Sequence, residues 1–168
     1  MKISGAKINR KNNPLMMELA KLKNRLQGKV SIVGIGNRLR GDDGVGSEIV
    51  TRVKNPPSNL VLFDVGEVPE NHLEKIVKEK PDTIVLIDAI DFGDSPGAIK
   101  IIEKDDIRNE SLSTHNASLN LVAKYLQKET CVDIFLLGIQ PETTEFGREI
   151  SESVRESLEK IVGMLETV

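Results

Sequence analysis

The stretch KVSIVGIGNRLRGDDGVG, residues 29–46, decides the first unit of the fold. Its apolar first part is typical of a buried strand, which ends at the two glycines Gly34 and Gly36. From residue 43 to residue 54, apolar side chains return at helical spacing. The stretch therefore predicts a strand, a glycine-rich loop and a helix, in that order.

The rest of the chain continues this alternation. Further strands are predicted over 60–65, 83–90, 98–103 and 131–139, and further helices over 14–26 and 115–127, from Pro69 and from about Ser151. The alternation predicts a largely parallel sheet with helices on both faces, the three-layer αβα architecture of the α/β class. No helix fits between 83–90 and 98–103, so we expect these two strands to be antiparallel neighbours.

Composition indicates one globular domain. The chain has 168 residues, of which 39% are hydrophobic and 29% charged. We predict a basic arm and a helical extension over 1–28, followed by a single α/β domain over 29–168.

The net charge of −3 gives no electrostatic case for nucleic acid, and no apolar run approaches a membrane span. The lone Cys131 excludes an internal disulfide, and with the poor signal-peptide pattern it favours a cytoplasmic location.

Chemistry is expected at one edge of this sheet, because open α/β sheets bind ligands beyond the carboxyl ends of their strands. Asp42 and Asp43 follow the first strand, and Asp88 lies at the end of the third. The loop 104–114 should deliver His115 to the same edge, since the helix after it must run back along the sheet. Asp43, Asp88 and His115 would supply two carboxylates and an imidazole. This set of ligands suits a borderline divalent ion with open coordination positions.

Structural roles remain open for the same residues. Asp42 is a natural helix N-cap, and Asp43 could favour the helix dipole. Asp88 could be a polar strand end and His115 a helix cap. Gly44 and Gly46 lie in the opening turn of the helix, where glycine is unfavourable, which suggests that something approaches the backbone closely.

The glycine loop does not match a nucleotide-binding loop. A GxGxxG pattern needs glycine at position 39, where the sequence has Leu39. Asp42 and Asp43 would also face a pyrophosphate at the amino end of the helix. The GK[ST] of a phosphate-binding loop is absent.

Two nucleophile patterns are also disfavoured. GDSPG, residues 93–97, formally matches GxSxG, but Pro96 has no N–H to donate in an oxyanion hole, and the turn leads into a strand. A tight turn between strands is the simpler interpretation. Cys131 lies at the entry of a strand, away from His115, and we expect it to pack as a small hydrophobic residue.

Five segments in order resemble the hydrogenase maturation endopeptidases, most closely the type that processes the large subunit of hydrogenase 3. The resemblance runs from about residue 30 to the carboxyl terminus, and residues 1–28 have no clear counterpart. The segments are GIGNRLRGDDGVG (34–46), DVGEVPEN (64–71), LIDAIDFGDSPGAIKII (86–102), THNASLN (114–120) and FLLGIQPE (135–142).

The resemblance implies a twisted, mostly parallel five-stranded sheet with one antiparallel strand. It implies an endopeptidase that removes the C-terminal extension of a [NiFe] hydrogenase large-subunit precursor after nickel insertion. The family's metal-binding and catalytic positions fall on Asp43, Asp88 and His115, whereas His72 falls on none. The implied partner is the nickel-loaded precursor, which would itself supply the nickel, and another divalent metal could bind the same site.

The resemblance leaves the chemical step and some alternatives open. The metal could polarise the scissile carbonyl or activate a bound water, and the base could be Asp42 or one of the ligands. A nickel-binding accessory protein for hydrogenase assembly would keep the same ligands without cleaving. A different metallohydrolase would act on small amides or free peptides. The sequence does not indicate the oligomeric state.

Overall fold

The computed structural model describes residues 13–107 and 116–168, which form five strands and five α-helices. The strands are β1 (Val30–Ile35), β2 (Leu60–Gly66), β3 (Thr83–Ala89), β4 (Ile99–Glu103) and β5 (Asp133–Ile139). The α-helices are α1 (Pro14–Arg25), α2 (Val45–Arg52), α3 (Leu73–Lys78), α4 (Asn116–Glu129) and α5 (Glu152–Leu165). Short 3-10 helices over Gly41–Gly44 and Pro69–His72 precede α2 and α3.

The strands form one five-stranded sheet in the order β2-β1-β3-β5-β4. The pairs β1–β2, β1–β3 and β3–β5 are parallel, and β4–β5 is antiparallel. The predicted fold class, a mostly parallel five-stranded sheet with one antiparallel strand between helical layers, is therefore confirmed. The chain leaves β1 for β2 on one side and returns to β3 on the other, so the strand order reverses between β1 and β3.

The predicted partner of β4 is wrong. β4 is antiparallel, but it pairs with β5 and not with β3, because β5 occupies the free side of β3. The connection between β3 and β4 instead crosses the end of β5. Gly97 donates its amide to the Gln140 carbonyl at 2.8 Å, and Gln140 donates its amide to the Ala98 carbonyl at 2.8 Å.

Two apolar clusters lie on opposite faces of the sheet. One contains α1, α2 and α5, and the other contains α3 and α4. Along β3, Val85 and Ile87 belong to the first cluster, while Ile84 and Leu86 belong to the second, as the two-residue period of a strand requires. None of the helices within residues 13–107 and 116–168 is long and apolar enough to cross a membrane.

Helix α1 covers the edge strand β4. Leu19, Leu22 and Leu26 are buried in the same cluster as α2 and α5. The Glu18 carboxylate accepts the outward-facing amide of Ile101 at 3.3 Å, which satisfies a donor that an edge strand leaves open. Residues 1–12 lie outside the described residues, and the division of the chain at residue 28 stays a prediction.

An arginine at the end of α1 links the helix to two strands. Arg25 donates to both carboxylate oxygens of Glu103 and to both of Asp133, and its guanidinium lies 4.0 Å from the ring centroid of Phe135. These hydrogen bonds lower the pKa of Asp133 and raise that of Arg25. A lowered folded pKa stabilises the fold above the ordinary pKa of aspartate, and this contribution is lost as pH falls through the folded pKa.

We expect Arg25→Gln to lower the melting temperature near neutral pH by about 2–4 °C, since partly exposed pairs contribute roughly 1 kcal/mol. The difference from the unmodified chain should shrink as pH is lowered from about 5 to about 3, because the Asp133 carboxylate then becomes protonated and loses its attraction to Arg25. Thermal melts across this range measure it, with Lys23→Gln on the same helix as control. A gap that stays constant down to the lowest pH would contradict the assignment.

Candidate active site

Three aspartates are fully buried at the carboxyl edge of the sheet. Asp42 and Asp88 are 0% exposed and Asp43 is 2% exposed, and they are the only buried acidic side chains within residues 13–107 and 116–168. Charged side chains are rarely buried unless they are paired, hydrogen-bonded or bound to a metal. Their shared position marks this edge as the site.

Other carboxylates at this edge face solvent. Asp64 is exposed and pairs with Arg38 at 2.8 Å. Asp91 is exposed, and hydrogen bonds from the Gln140 side chain and the Gly93 amide lower its pKa. Glu142 is exposed and accepts from the Ser153 hydroxyl at 3.3 Å. Burial therefore separates three candidate residues from the remaining acids that the sequence places at the same strand ends.

The buried aspartates lie where the strand order reverses. The 3-10 helix Gly41–Gly44 carries Asp42 and Asp43 and packs against β3. Asp88 is the penultimate residue of β3, next to the position where β3 pairs with β1 through Ile87 and Gly34. Parallel sheets form their ligand-binding crevice at this kind of reversal. The structure thus places both residues at the predicted edge, with Asp43 in the 3-10 helix that follows β1 and Asp88 in the neighbouring strand β3.

Glycines allow the loop and α2 to lie directly on the strand ends. A side chain at Gly46 would overlap the backbone oxygens of Ile35 and Ile87. Gly36 has a φ of +132°, and a side chain there would overlap the backbone oxygen of Asp43. The close approach predicted at Gly46 is therefore made by the chain's own backbone. It seats the amino end of α2 on the ends of β1 and β3.

Backbone amides hold the two candidate ligands. The Asp43 Oδ2 accepts the amide N–H of Asn37 at 3.1 Å, and the Asp43 amide donates to the Arg40 carbonyl at 3.2 Å. The Asp88 Oδ1 accepts the amide N–H of Ala89 at 2.8 Å. These bonds fix the orientation of each carboxylate with groups that cannot titrate.

Asp42 joins two loops and is not a helix N-cap, contrary to the sequence-based expectation. Its Oδ1 accepts the Ser151 amide at 2.7 Å. Its Oδ2 accepts the amides of Glu142 and Thr143 at 2.8 and 3.1 Å and the Ser151 hydroxyl at 2.9 Å. Both oxygens are thus occupied by donors of the loop 142–151. This arrangement fits an anchor for the loop that carries Asp43 and disfavours Asp42 as the base.

Gln140 is a site-edge residue that sequence reasoning missed. It is 5% exposed, and its Oε1 accepts the amides of Phe92 at 2.9 Å and Asp94 at 3.2 Å. Its Nε2 donates to Asp91 Oδ1 at 3.0 Å. The side chain therefore shapes the turn after β3. A polar residue directly after an apolar strand was the available signal.

The GDSPG turn and Cys131 carry no sign of a nucleophile. Residues 93–96 are exposed, and Gly93 and Gly97 have φ angles of +75° and +82°, as a tight turn requires. Cys131 is exposed, so the expectation that it packs as a small hydrophobic residue is wrong. It precedes β5 in a loop at the opposite edge of the sheet.

His115 lies outside the described residues. Helix α4, which begins at the next residue, ends shortly before β5 and contacts the 3-10 helix Pro69–His72 after β2. α4 therefore runs antiparallel to the parallel strands and starts toward their carboxyl edge. By the alternation along β3, Asp88 lies on the face that α3 and α4 cover. Among residues 13–107 and 116–168, no three His, Cys, Asp or Glu side chains are grouped to hold a metal ion.

Comparison with known proteins identifies the family. The HycI family, described as hydrogenase maturation protease, matches residues 44–168. The hydrogenase 3 maturation protease of Escherichia coli K12 is 34% identical over 134 residues, which are 79% of this chain and 85% of that protein. A solved structure, the [NiFe] hydrogenase maturation protease HycI from Thermococcus kodakarensis, is 34% identical with a TM-score of 0.77. That match covers 87% of this chain and 96% of the other.

The family match begins at Gly44, directly after Asp43, and includes Asp88 and His115. It spans most of the chain, and the relatives are covered over most of their own length. The chain therefore belongs to the hydrogenase maturation protease family, and it is a hydrolase of the peptidase class.

Proposed function

We propose that this chain removes the C-terminal extension of a [NiFe] hydrogenase large-subunit precursor after nickel has been inserted. In this proposal Asp43, Asp88 and His115 bind the nickel that the substrate carries. A cytoplasmic location, in which the chain meets its precursor before assembly, is part of the same proposal.

The observation that carries the proposal is the burial of Asp43 and Asp88 at the reversal point of the sheet. Burying two carboxylates costs free energy that a bound cation offsets. Both sit on rigid elements, one on the 3-10 helix after β1 and one in β3. They are thus preorganised to bind a cation, which a flexible loop is not.

The donor set suits nickel. Carboxylate oxygen and imidazole nitrogen together are typical ligands of borderline divalent ions, and three protein ligands leave coordination positions open for the substrate. Another divalent ion of similar character would fit the same donors.

Nickel recognition follows from this arrangement as a difference in affinity. A loaded precursor offers an ion that the three residues can coordinate, whereas an empty precursor offers none. Coordination then selects the loaded state, since a ligand discriminates between two states only by its differential binding free energy. Cleavage would be coupled to nickel insertion without a separate sensor.

The direct test is to incubate the purified chain with a nickel-loaded precursor and to follow the released C-terminal peptide by mass spectrometry. We expect release from the loaded precursor and at least about 100-fold slower release from a nickel-free one. A free peptide that spans the cleavage site serves as the second substrate.

Each outcome distinguishes a different account. Binding of the loaded precursor without peptide release would support an accessory protein and contradict the proposal. Cleavage of the free peptide without nickel would point to a general metallohydrolase. Equal cleavage of loaded and empty precursors would support the protease activity and contradict the proposed recognition of nickel.

A further inference from the structure

Two loops next to the candidate site form one hydrogen-bonded platform. They are the loop 37–44 after β1 and the loop 142–151 after β5. Gly41 donates its amide to the Arg148 carbonyl at 3.0 Å, Asp42 donates to the Thr143 carbonyl at 3.0 Å, and Gly147 donates to the Leu39 carbonyl at 2.7 Å. The buried Asp42 carboxylate adds four further bonds to the second loop. Each of the two loops therefore donates hydrogen bonds to the other.

Two large apolar side chains project from this platform into solvent. Leu39 is 63% exposed and Phe146 is 73% exposed, and the Leu39–Gly147 bond joins their backbones. The other phenylalanines are at least half-buried, and Phe135 is completely so. Single exposed apolar residues are ordinary, but two on adjacent, hydrogen-bonded loops form a patch of the kind found in interaction sites.

Cationic side chains flank the two apolar ones. Arg40 is exposed and makes no ion pair with any other described residue. Arg148 pairs with Glu145 at 3.1 Å, and both of those side chains are largely exposed. Interfaces between proteins are enriched in aromatic and arginine residues, with polar groups at the rim. The patch therefore fits a protein surface that is apolar at its centre and acidic at its border.

The patch is continuous with the candidate site. The Arg40 carbonyl accepts the Asp43 amide at 3.2 Å, so Leu39 and Arg40 belong to the same turn as the candidate ligand. Whatever binds at the patch is placed beside Asp43. This continuity favours the substrate as the occupant over a membrane surface.

We propose that Leu39 and Phe146 form the docking surface for the folded body of the hydrogenase precursor. This inference rests on the proposed function, because it takes that precursor as the substrate. Docking at the patch holds the precursor next to Asp43 and Asp88. Arg40 then contacts acidic groups of the precursor at the border of the patch. The surface contributes binding and orientation, and it takes no part in the bond cleavage itself.

The test is the double variant L39S/F146S, assayed for cleavage of the nickel-loaded precursor. We expect KM to rise at least about 10-fold with kcat changed by less than about two-fold, because centrally placed apolar residues dominate interface affinity. The matched control is M16S/L121S, whose two side chains are 50% and 59% exposed and lie on α1 and α4. Its KM should equal that of the unmodified chain.

The outcomes separate the docking inference from the proposed function. If the unmodified chain does not cleave the precursor, the proposed function fails. If it cleaves and L39S/F146S keeps the same KM, the docking inference is overturned and the function stands. Binding of the unmodified chain to anionic vesicles that is lost in L39S/F146S, with KM unchanged, would also overturn it in favour of a membrane surface.

A milder variant protects the test against misfolding. Circular dichroism and thermal melting should show L39S/F146S to be folded, since both side chains are exposed. If its melting temperature falls, Phe146→Ala replaces it, and a rise in KM of at least about three-fold is then expected. An unchanged KM in that variant overturns the inference.

Discussion

Replacing Asp88 by asparagine is expected to slow precursor processing at least about 100-fold while leaving the fold intact. The amide keeps the size of the carboxylate, and its oxygen can still accept the Ala89 amide that Asp88 binds at 2.8 Å. What the variant loses is the negative charge that a cation requires. Asp43→Asn should behave in the same way, because its oxygen can still accept from Asn37.

Peptide release from the nickel-loaded precursor measures the effect, and a thermal melt of each variant verifies the fold. The matched control is Asp64→Asn, which removes one exposed negative charge at the same edge of the sheet. It should retain nearly full activity. Processing at a near-normal rate in both Asp43→Asn and Asp88→Asn would show that these carboxylates do not form the site.

Replacing Asp42 by alanine is expected to destabilise the chain by about 3–5 kcal/mol, which corresponds to a melting temperature lower by about 10 °C. The variant leaves the amides of Glu142, Thr143 and Ser151 and the Ser151 hydroxyl without their shared acceptor. Activity should fall as well, because the loop that carries Asp43 loses its anchor. The stability of Asp42→Asn should lie between that of the unmodified chain and that of Asp42→Ala, because the side-chain amide nitrogen of asparagine cannot accept a hydrogen bond.

Glu145→Ala is the control for this variant, because Glu145 lies in the same loop and, among the described residues, its side chain pairs with the exposed Arg148 alone. It should change the free energy of unfolding by less than about 0.5 kcal/mol. If Asp42→Ala melted within a degree or two of the unmodified chain, the role of Asp42 as a buried anchor would be refuted.

The sequence predicted the elements well because the decisive signals are local. The apolar runs of β1, β3 and β5 and the helical spacing of α1, α2 and α5 each appear within one short segment. The partner of β4 was mispredicted because it depends on which strand occupies the open side of β3, a question that only the full sheet answers. Short connections favour neighbouring antiparallel strands in general, and here the loop crosses the end of β5 instead.

The candidate site was predictable where strand ends alone decide position. Asp43 and Asp88 follow apolar strands, and parallel strands bring their carboxyl ends to one edge. The role of Asp42 could not be predicted from the sequence, because its hydrogen-bond partners are about one hundred residues away in the chain. Gln140 was missed for the same reason, since the turn that it shapes follows a different strand. His115 remains a prediction of the sequence and of the family resemblance.

Binding is a sharper test than cleavage of the proposal that Asp43, Asp88 and His115 recognise nickel in the substrate. The measurement is the dissociation constant for nickel-loaded and nickel-free precursor, with the unmodified chain and with the triple variant D43N/D88N/H115A. We expect the unmodified chain to bind the loaded precursor at least about 10-fold more tightly than the nickel-free one, and we expect this preference to disappear in the triple variant. A preference that survives in the triple variant, or is absent from the unmodified chain, would contradict it.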